Sequence, residues 1–254
     1  MKIARQALKW FAGRMGYGFV RQNPDGTPMD FGPRTRETIA SVREYTMTSA
    51  ERVAALCDAV EYIVSNEVPG SIVECGVWRG GSMMAVARTL KELGCTDREL
   101  YLFDTFEGMS PPTDEDRSVH GESAAGLLHE KDKDYWLWCR SPLSEVKASM
   151  ERTGYDASRI HFVKGMVEST LPQHAPEKIA LLRLDTDWYE STKHELVHLW
   201  PRLQVGGVLI LDDYGHWEGA RKAVDEYFAA SASPVFLHRI DESGRVAIKV
   251  GDVL

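Results

Sequence analysis

Four carboxylates stand where two apolar runs end: Asp185 and Asp187 in "LLRLDTDW", Asp212 and Asp213 in "VLILDD". Residues two apart on a strand face the same way, so Asp185 and Asp187 are expected to open into one space. Adjacent acids diverge within a strand, but Asp212 and Asp213 sit where theirs runs out into a turn and can converge. Neighbouring strands lie ~5 Å apart, which would bring the two pairs together. Carboxylates crowded in this way repel one another unless something positive sits among them. A hard divalent ion with oxygen ligands answers that need, and Mg2+ keeping several waters is the expected one. A competing reading makes some of these acids turn caps or partners of Arg183, which shares their strand face. Two clusters on successive strands favour the cation.

A second stretch, "SIVECGVWRGGS" at 71–82, sets an acid and three glycines ahead of a helix-like run. A dinucleotide site needs G-x-G-x-x-G after its strand, and the second glycine of that pattern is missing. A phosphate loop needs a lysine before Ser82, and there is none. What remains is acid-x-Gly-x-x-x-Gly, a wider turn that brings backbone to a ligand without packing on a pyrophosphate. Glu74 suits a cation or an amine better than a phosphate. One strand later Asp104 ends "LYLFD", where open α/β sheets place a carboxylate for ribose hydroxyls. A ligand-free tight turn and an aspartate capping its own turn are the plainer alternatives. The pair together points to an adenosine compound without a diphosphate.

The elements that must position these residues alternate. The stripe Val53, Leu56, Cys57, Val60, Ile63 and Val64 predicts a helix capped by Thr48 or Ser49. "SIVEC" is a strand, "SMMAVARTLKEL" a helix and "ELYLFD" a strand. "SPLSEVKASMERTG" is a helix with Pro142 in its first turn. "IHFVKG" and "IALLRLD" are strands. "STKHELVHLWPRL" is a helix stopped by Pro201, "GGVLILDD" a strand and "EGARKAVDEYFAAS" a helix. "VFLHRI-DESG-RVAIKV" is a closing hairpin. This order predicts a mostly parallel α/β sheet with helices on both faces and a C-terminal antiparallel hairpin. Residues 21–35 read as a loop, and 1–45 as an N-terminal helix-and-loop extension to a domain over 46–254. The long charged stretch 109–141 interrupts the rhythm and is expected to be a lid or substrate loop.

The chain has 254 residues, enough for one well-buried α/β domain with additions. Its net charge of −8, with no cluster of Lys or Arg, argues against nucleic acid as a partner. No apolar run approaches the ~20 residues that cross a bilayer. Cys57, Cys75, Cys95 and Cys139 show no C-x-x-C spacing and read as reduced thiols, which suits a cytoplasmic protein. The N-terminus places Ile3, Ala7, Trp10 and Phe11 on one helical face. That face is expected to pack on its own domain or in a homo-oligomer, with a membrane-surface helix as the lesser reading.

"VECGVWRGGS", "LFDTFEGM", "VKGMVESTLP", "LLRLDTDWYEST" and "GGVLILDDYG" occur in this order, and over roughly residues 45–250 the chain resembles the macrocin O-methyltransferase family. The resemblance implies a Rossmann-like class I methyltransferase fold. It implies S-adenosylmethionine as donor and Mg2+ as metal, with a sugar hydroxyl of a glycosylated natural product, macrolide or aminocoumarin in type, as acceptor. Carried onto this sequence, Asp185, Asp212 and Asp213 would bind the metal and Asp187 would be the general base. His216 lies close enough to be a rival base. Glu74 and Gly76 would meet the methionine part of the donor, with Ser82 near its carboxylate. Asp104 and Thr105 would take the ribose, Gly165 and Met166 the adenine, and Met47 the acceptor. "KGMVEST" lacks the bulky aromatic residue of that family turn, and Trp188 stands where smaller residues also occur; both bear on the acceptor's shape. The D-x-D motif leaves a sugar-nucleotide glycosyltransferase as the second reading. An O-methyltransferase for a non-sugar hydroxyl and a binding module without chemistry are the others.

Overall fold

The computed structural model describes residues 10–11, 14–15, 20–130, 138–231 and 235–251. Most of the expected N-terminal helix, and residues 131–137 of the expected lid, lie outside them. Helix α1 (Pro33–Val42) opens on a proline, where no N–H is needed, and buries Thr38, Ile39 and Val42. This corrects the sequence reading at one point: the loop over 21–35 ends in a helix. Its Ile39 and Val42 pack in the main hydrophobic cluster. Two buried apolar side chains in "PRTRETIASV" are too sparse a stripe for periodicity to reveal.

Helix α2 (Ala50–Ser65) carries the expected cap: the Ser49 side chain accepts from the Arg52 N–H. There follow β1 (Ser71–Cys75), α3 (Gly81–Glu92), β2 (Leu100–Asp104), α4 (Ala124–Glu130) and α5 (Leu143–Glu151). Pro142 is the N-cap of α5 and not a first-turn residue. Then come β3 (Ile160–Lys164), the single turn α6 (Val167–Thr170), β4 (Ile179–Leu184), α7 (Tyr189–Leu199) and β5 (Leu203–Leu211). The chain closes with α8 (Glu218–Ala229) and the hairpin β6 (His238–Arg239) and β7 (Arg245–Ile248). Strand β5 starts earlier than "GGVLILDD" suggested. It absorbs Gly206 at a φ of +81° beside a register shift against β4.

The seven strands lie in the order β3-β2-β1-β4-β5-β7-β6; the first five are parallel and the hairpin is antiparallel. Strand β1 is buried throughout, and so is β4. Ile72 and Leu181 pack with α1, α2, α3 and α5 on one face, while Val73 and Leu182 pack with α7 and α8 on the other. Apolar residues on both faces make each strand an unbroken hydrophobic run, as a parallel sheet covered by helices requires. The strand order reverses between β1 and β4, the place where such sheets open a crevice at their carboxyl ends. Cys75 pairs with Leu184 and Leu184 with Leu211, so Gly76, Asp185 and Asp212 emerge side by side.

Candidate active site

A cavity of about 530 Å³ occupies that crevice. Its wall includes Gly76, Ser82, Asp104, Thr105, Gly165 and Met166, together with Asp185, Asp187, Asp212, Asp213, His216 and Met47. Glu74, to which the resemblance gave a place at the donor, is not part of the wall. It is fully buried beneath the sheet edge, where its register partner Arg183 donates to it at 2.8 Å. A direct contact between Glu74 and a ligand in the cavity is therefore not what this arrangement offers.

Gly76 has a φ of +82°, and a Cβ there would overlap the carbonyl oxygen of Asp185, so only glycine lets β1 and β4 part this closely. Gly80, at a φ of +88°, is the N-cap of α3 and delivers Ser82 to its first turn. Asp104 ties this turn down. One of its oxygens accepts from the N–H groups of Val77 at 2.7 Å and Trp78 at 3.1 Å, and the other from Phe106 at 2.6 Å. The capping role set against the ribose role is thus real, and the carboxylate still faces the cavity. Burial raises its pKa, against these three donors. Thr105 donates to the Gly108 carbonyl, within its own turn.

Asp185 and Asp187 share the cavity, but not by strand alternation. Strand β4 ends at Leu184, and Asp187 turns inward with a left-handed φ of +66°. Asp185, Asp212 and Asp213 each bring one oxygen within 4.8 Å of the others. Two arginines brace this group. Arg183 donates to Asp185 at 2.6 Å, to Asp212, to Glu74 and to the Thr48 hydroxyl. Arg52 donates to the other oxygen of Asp212 and to Asp241. The partnership with Arg183 weighed at the sequence level therefore exists, but it does not balance the charge. Glu74, Asp185, Asp187, Asp212 and Asp213 face two guanidiniums. Enclosure and mutual repulsion accordingly hold Asp185 and Asp213 well above the usual carboxylate range, although Arg183 opposes this at Asp185 and Arg52 at Asp213. Burial pushes Glu74 up to about 7 against the pull of Arg183, and one of its oxygens finds no partner among the described residues. Burial followed by Asp185 pushes Asp187 to about 7 as well, while interactions with Asp213 and Trp217 lower it. A cluster that holds protons for want of positive charge suits a divalent cation, and a donor set made only of carboxylate oxygens suits a hard one. His216 borders the cavity with its pKa lowered by burial and by His120, so it is a neutral imidazole near pH 7.

Several wall residues gave little sign in the sequence. Arg52, in the first turn of α2, belongs to no motif. Met109, Ser110, Val119 and His120 come from the stretch expected to be a lid or substrate loop. Its described part contains α4 and is joined to the segment before α8: the Val119 N–H donates to the His216 carbonyl and the Glu218 N–H to the Arg117 carbonyl. Fully buried Asp116 accepts from the Tyr189 N–H at 2.8 Å, capping α7 from a distance. Trp188 is buried against Trp217, ring centroids 4.9 Å apart, and its indole donates to the Ser110 carbonyl. It is not part of the cavity wall and instead supports the segments that carry Ser110 and Trp217.

The sequence profile of the family described as Macrocin-O-methyltransferase (TylF) matches residues 24–248. The chain is 36% identical over 203 residues to the 8-demethyl-8-(2,3-dimethoxy-alpha-L-rhamnosyl)-tetracenomycin-C 4'-O-methyltransferase of Streptomyces olivaceus, covering 80% of this chain and 74% of that one. It is 34% identical over 183 residues to the mycinamicin III 3''-O-methyltransferase of Micromonospora griseorubida, covering 72% and 70%. Among solved structures, the O-methyltransferase NovP superposes with a TM-score of 0.72 at 31% identity, covering 82% of this chain and 83% of that one. Among the described residues no helix is long and apolar enough to cross a membrane. These relatives set aside both the glycosyltransferase and the binding module without chemistry. The chain belongs to the macrocin O-methyltransferase family.

Proposed function

We propose that this methyltransferase moves the methyl group of S-adenosylmethionine to a sugar hydroxyl of a glycosylated small molecule, with Mg2+ held by Asp185, Asp212 and Asp213. The observation that carries the reading is the group of three carboxylates gathered within 4.8 Å in the same cavity as the glycine turn. The names of the relatives support the acceptor class. When bound, the sulfonium supplies an already activated methyl group, and the cation lowers the pKa of an alcohol beside it. The chain's own residues do the rest. Backbone at Gly76 and the first turn of α3 at Ser82 receive the methionine end, Asp104 and Thr105 the ribose, and Gly165 and Met166 the adenine. Glu74 acts through Arg183. Asp187 takes the hydroxyl proton, and Met47 borders the acceptor. Holding oxygen and methyl at about 3 Å supplies much of the rate.

Mass spectrometry of a glycoside panel incubated with donor, Mg2+ or EDTA tests the reading. A gain of one methyl on a sugar, lost with chelator, is expected. Methylation only of non-sugar hydroxyls would overturn the acceptor class, and indifference to EDTA would overturn the metal. The apolar stripe suggested by the N-terminal sequence supports a homo-oligomer, which light scattering measures, and four cysteines without C-x-x-C spacing support a cytoplasmic setting.

A further inference from the structure

We propose that Arg52 is a built-in competitor for the cation at Asp185, Asp212 and Asp213, and that Asp241 sets the strength of this competition by drawing off the charge of Arg52. The proposal rests on the metal reading above and deepens it. Both oxygens of Asp212 carry a guanidinium, one from Arg183 and one from Arg52. The two arginines are not equivalent. Arg183 is enclosed and also bonded to Glu74, Asp185 and Thr48, so it is part of the frame. Arg52 reaches in from the first turn of α2 with its side chain 16% exposed, and it borders the cavity. Its Nε donates to Asp241 at 2.9 Å, in the turn between β6 and β7.

Asp241 is itself fixed from three sides. It accepts from the Ser49 hydroxyl at 2.6 Å and from the N–H groups of Ser243 at 2.9 Å and Gly244 at 2.6 Å. It is not part of the cavity wall. Arg52 therefore has an anchored carboxylate to rest on when Asp212 is taken by another cation. A guanidinium on a ligand carboxylate repels an incoming divalent ion and occupies one of its oxygens. A carboxylate behind that guanidinium offsets the repulsion. Arg52 and Asp241 thus act on the metal with opposite signs, whereas loss of a mere scaffold contact at either would weaken binding.

Titration of the full chain with Mn2+, following free ion by electron paramagnetic resonance, reads this directly without turnover. Arg52→Gln is expected to bind Mn2+ roughly tenfold more tightly. Arg52→Lys, which keeps the charge, should stay near the wild type, and Asp241→Asn should bind roughly three- to tenfold more weakly. Melting curves in EDTA establish that each variant is folded. If Arg52→Gln does not fold, Arg52→Met takes its place with the same expected tightening, and unchanged or tighter binding in Asp241→Asn overturns the proposal in either case. Weaker or unchanged binding in folded Arg52→Gln overturns it too. Absence of Mn2+ binding in the wild type would instead remove the metal reading, and this proposal with it.

Discussion

At Asp187 the backbone is left-handed, a conformation that aspartate and asparagine tolerate better than other residues with a side chain. Asp187→Asn therefore keeps the turn while removing the proton acceptor. We expect kcat to fall by about 10²-fold or more, with S-adenosylhomocysteine affinity unchanged and a cooperative melt retained. Full activity in that variant would move the base role to His216. Gly76→Ala is a different kind of change. It drives a Cβ into the Asp185 carbonyl at a φ that alanine resists, so it should cost roughly 3 kcal/mol or more, read as a lost or strongly lowered melting transition. The chemistry-bearing types at this scale were legible because two pairs of aspartates end successive apolar runs. Glu74 was not: its motif position suggested a ligand, and only strand register reveals Arg183 as its partner.

The elements hold the cavity through contacts between segments far apart in sequence. Asp116 receives the first N–H of α7 together with the N–H and hydroxyl of Thr113. Removing its carboxylate in Asp116→Ala strands a buried helix donor, at a cost of about 2–3 kcal/mol. Melting should drop by roughly 5–10 °C, and the acceptor KM should rise as the 109–123 wall loosens. An unchanged melt would mean that the loop is anchored elsewhere. Periodicity located the strands and the long helices well, because each buries a continuous stripe. It did not reveal α1 or α4, which bury too few apolar side chains to repeat visibly.

Across the whole molecule the excess of buried acids makes stability depend on pH. Glu74 and Asp187, each pushed up to about 7, stay protonated in the folded protein where the unfolded chain has already ionised. The folded state then binds more protons, so stability falls as pH rises between about 4 and 7. Metal-free protein should melt at a lower temperature near pH 8 than near pH 5, and Mg2+ should raise the pH 8 value more than the other. A pH-independent melt in EDTA would contradict this. Burial also pushes the Cys57 thiol up to about 11 and raises that of Cys75 well above its usual value. Both should resist Ellman's reagent near pH 8 until the chain is unfolded.

Sequence alone determined the layered parallel sheet, the glycine bend and the positions of the acids, since hydrophobic period and strand-end residue types are local properties. Tertiary structure alone decided which of those acids share a cavity, which of them pair with Arg52 and Arg183, and which residues of the 109–130 stretch line the cavity. Charge balance and hydrogen-bond partners depend on distances between segments brought together only by strand order, and no local pattern encodes those.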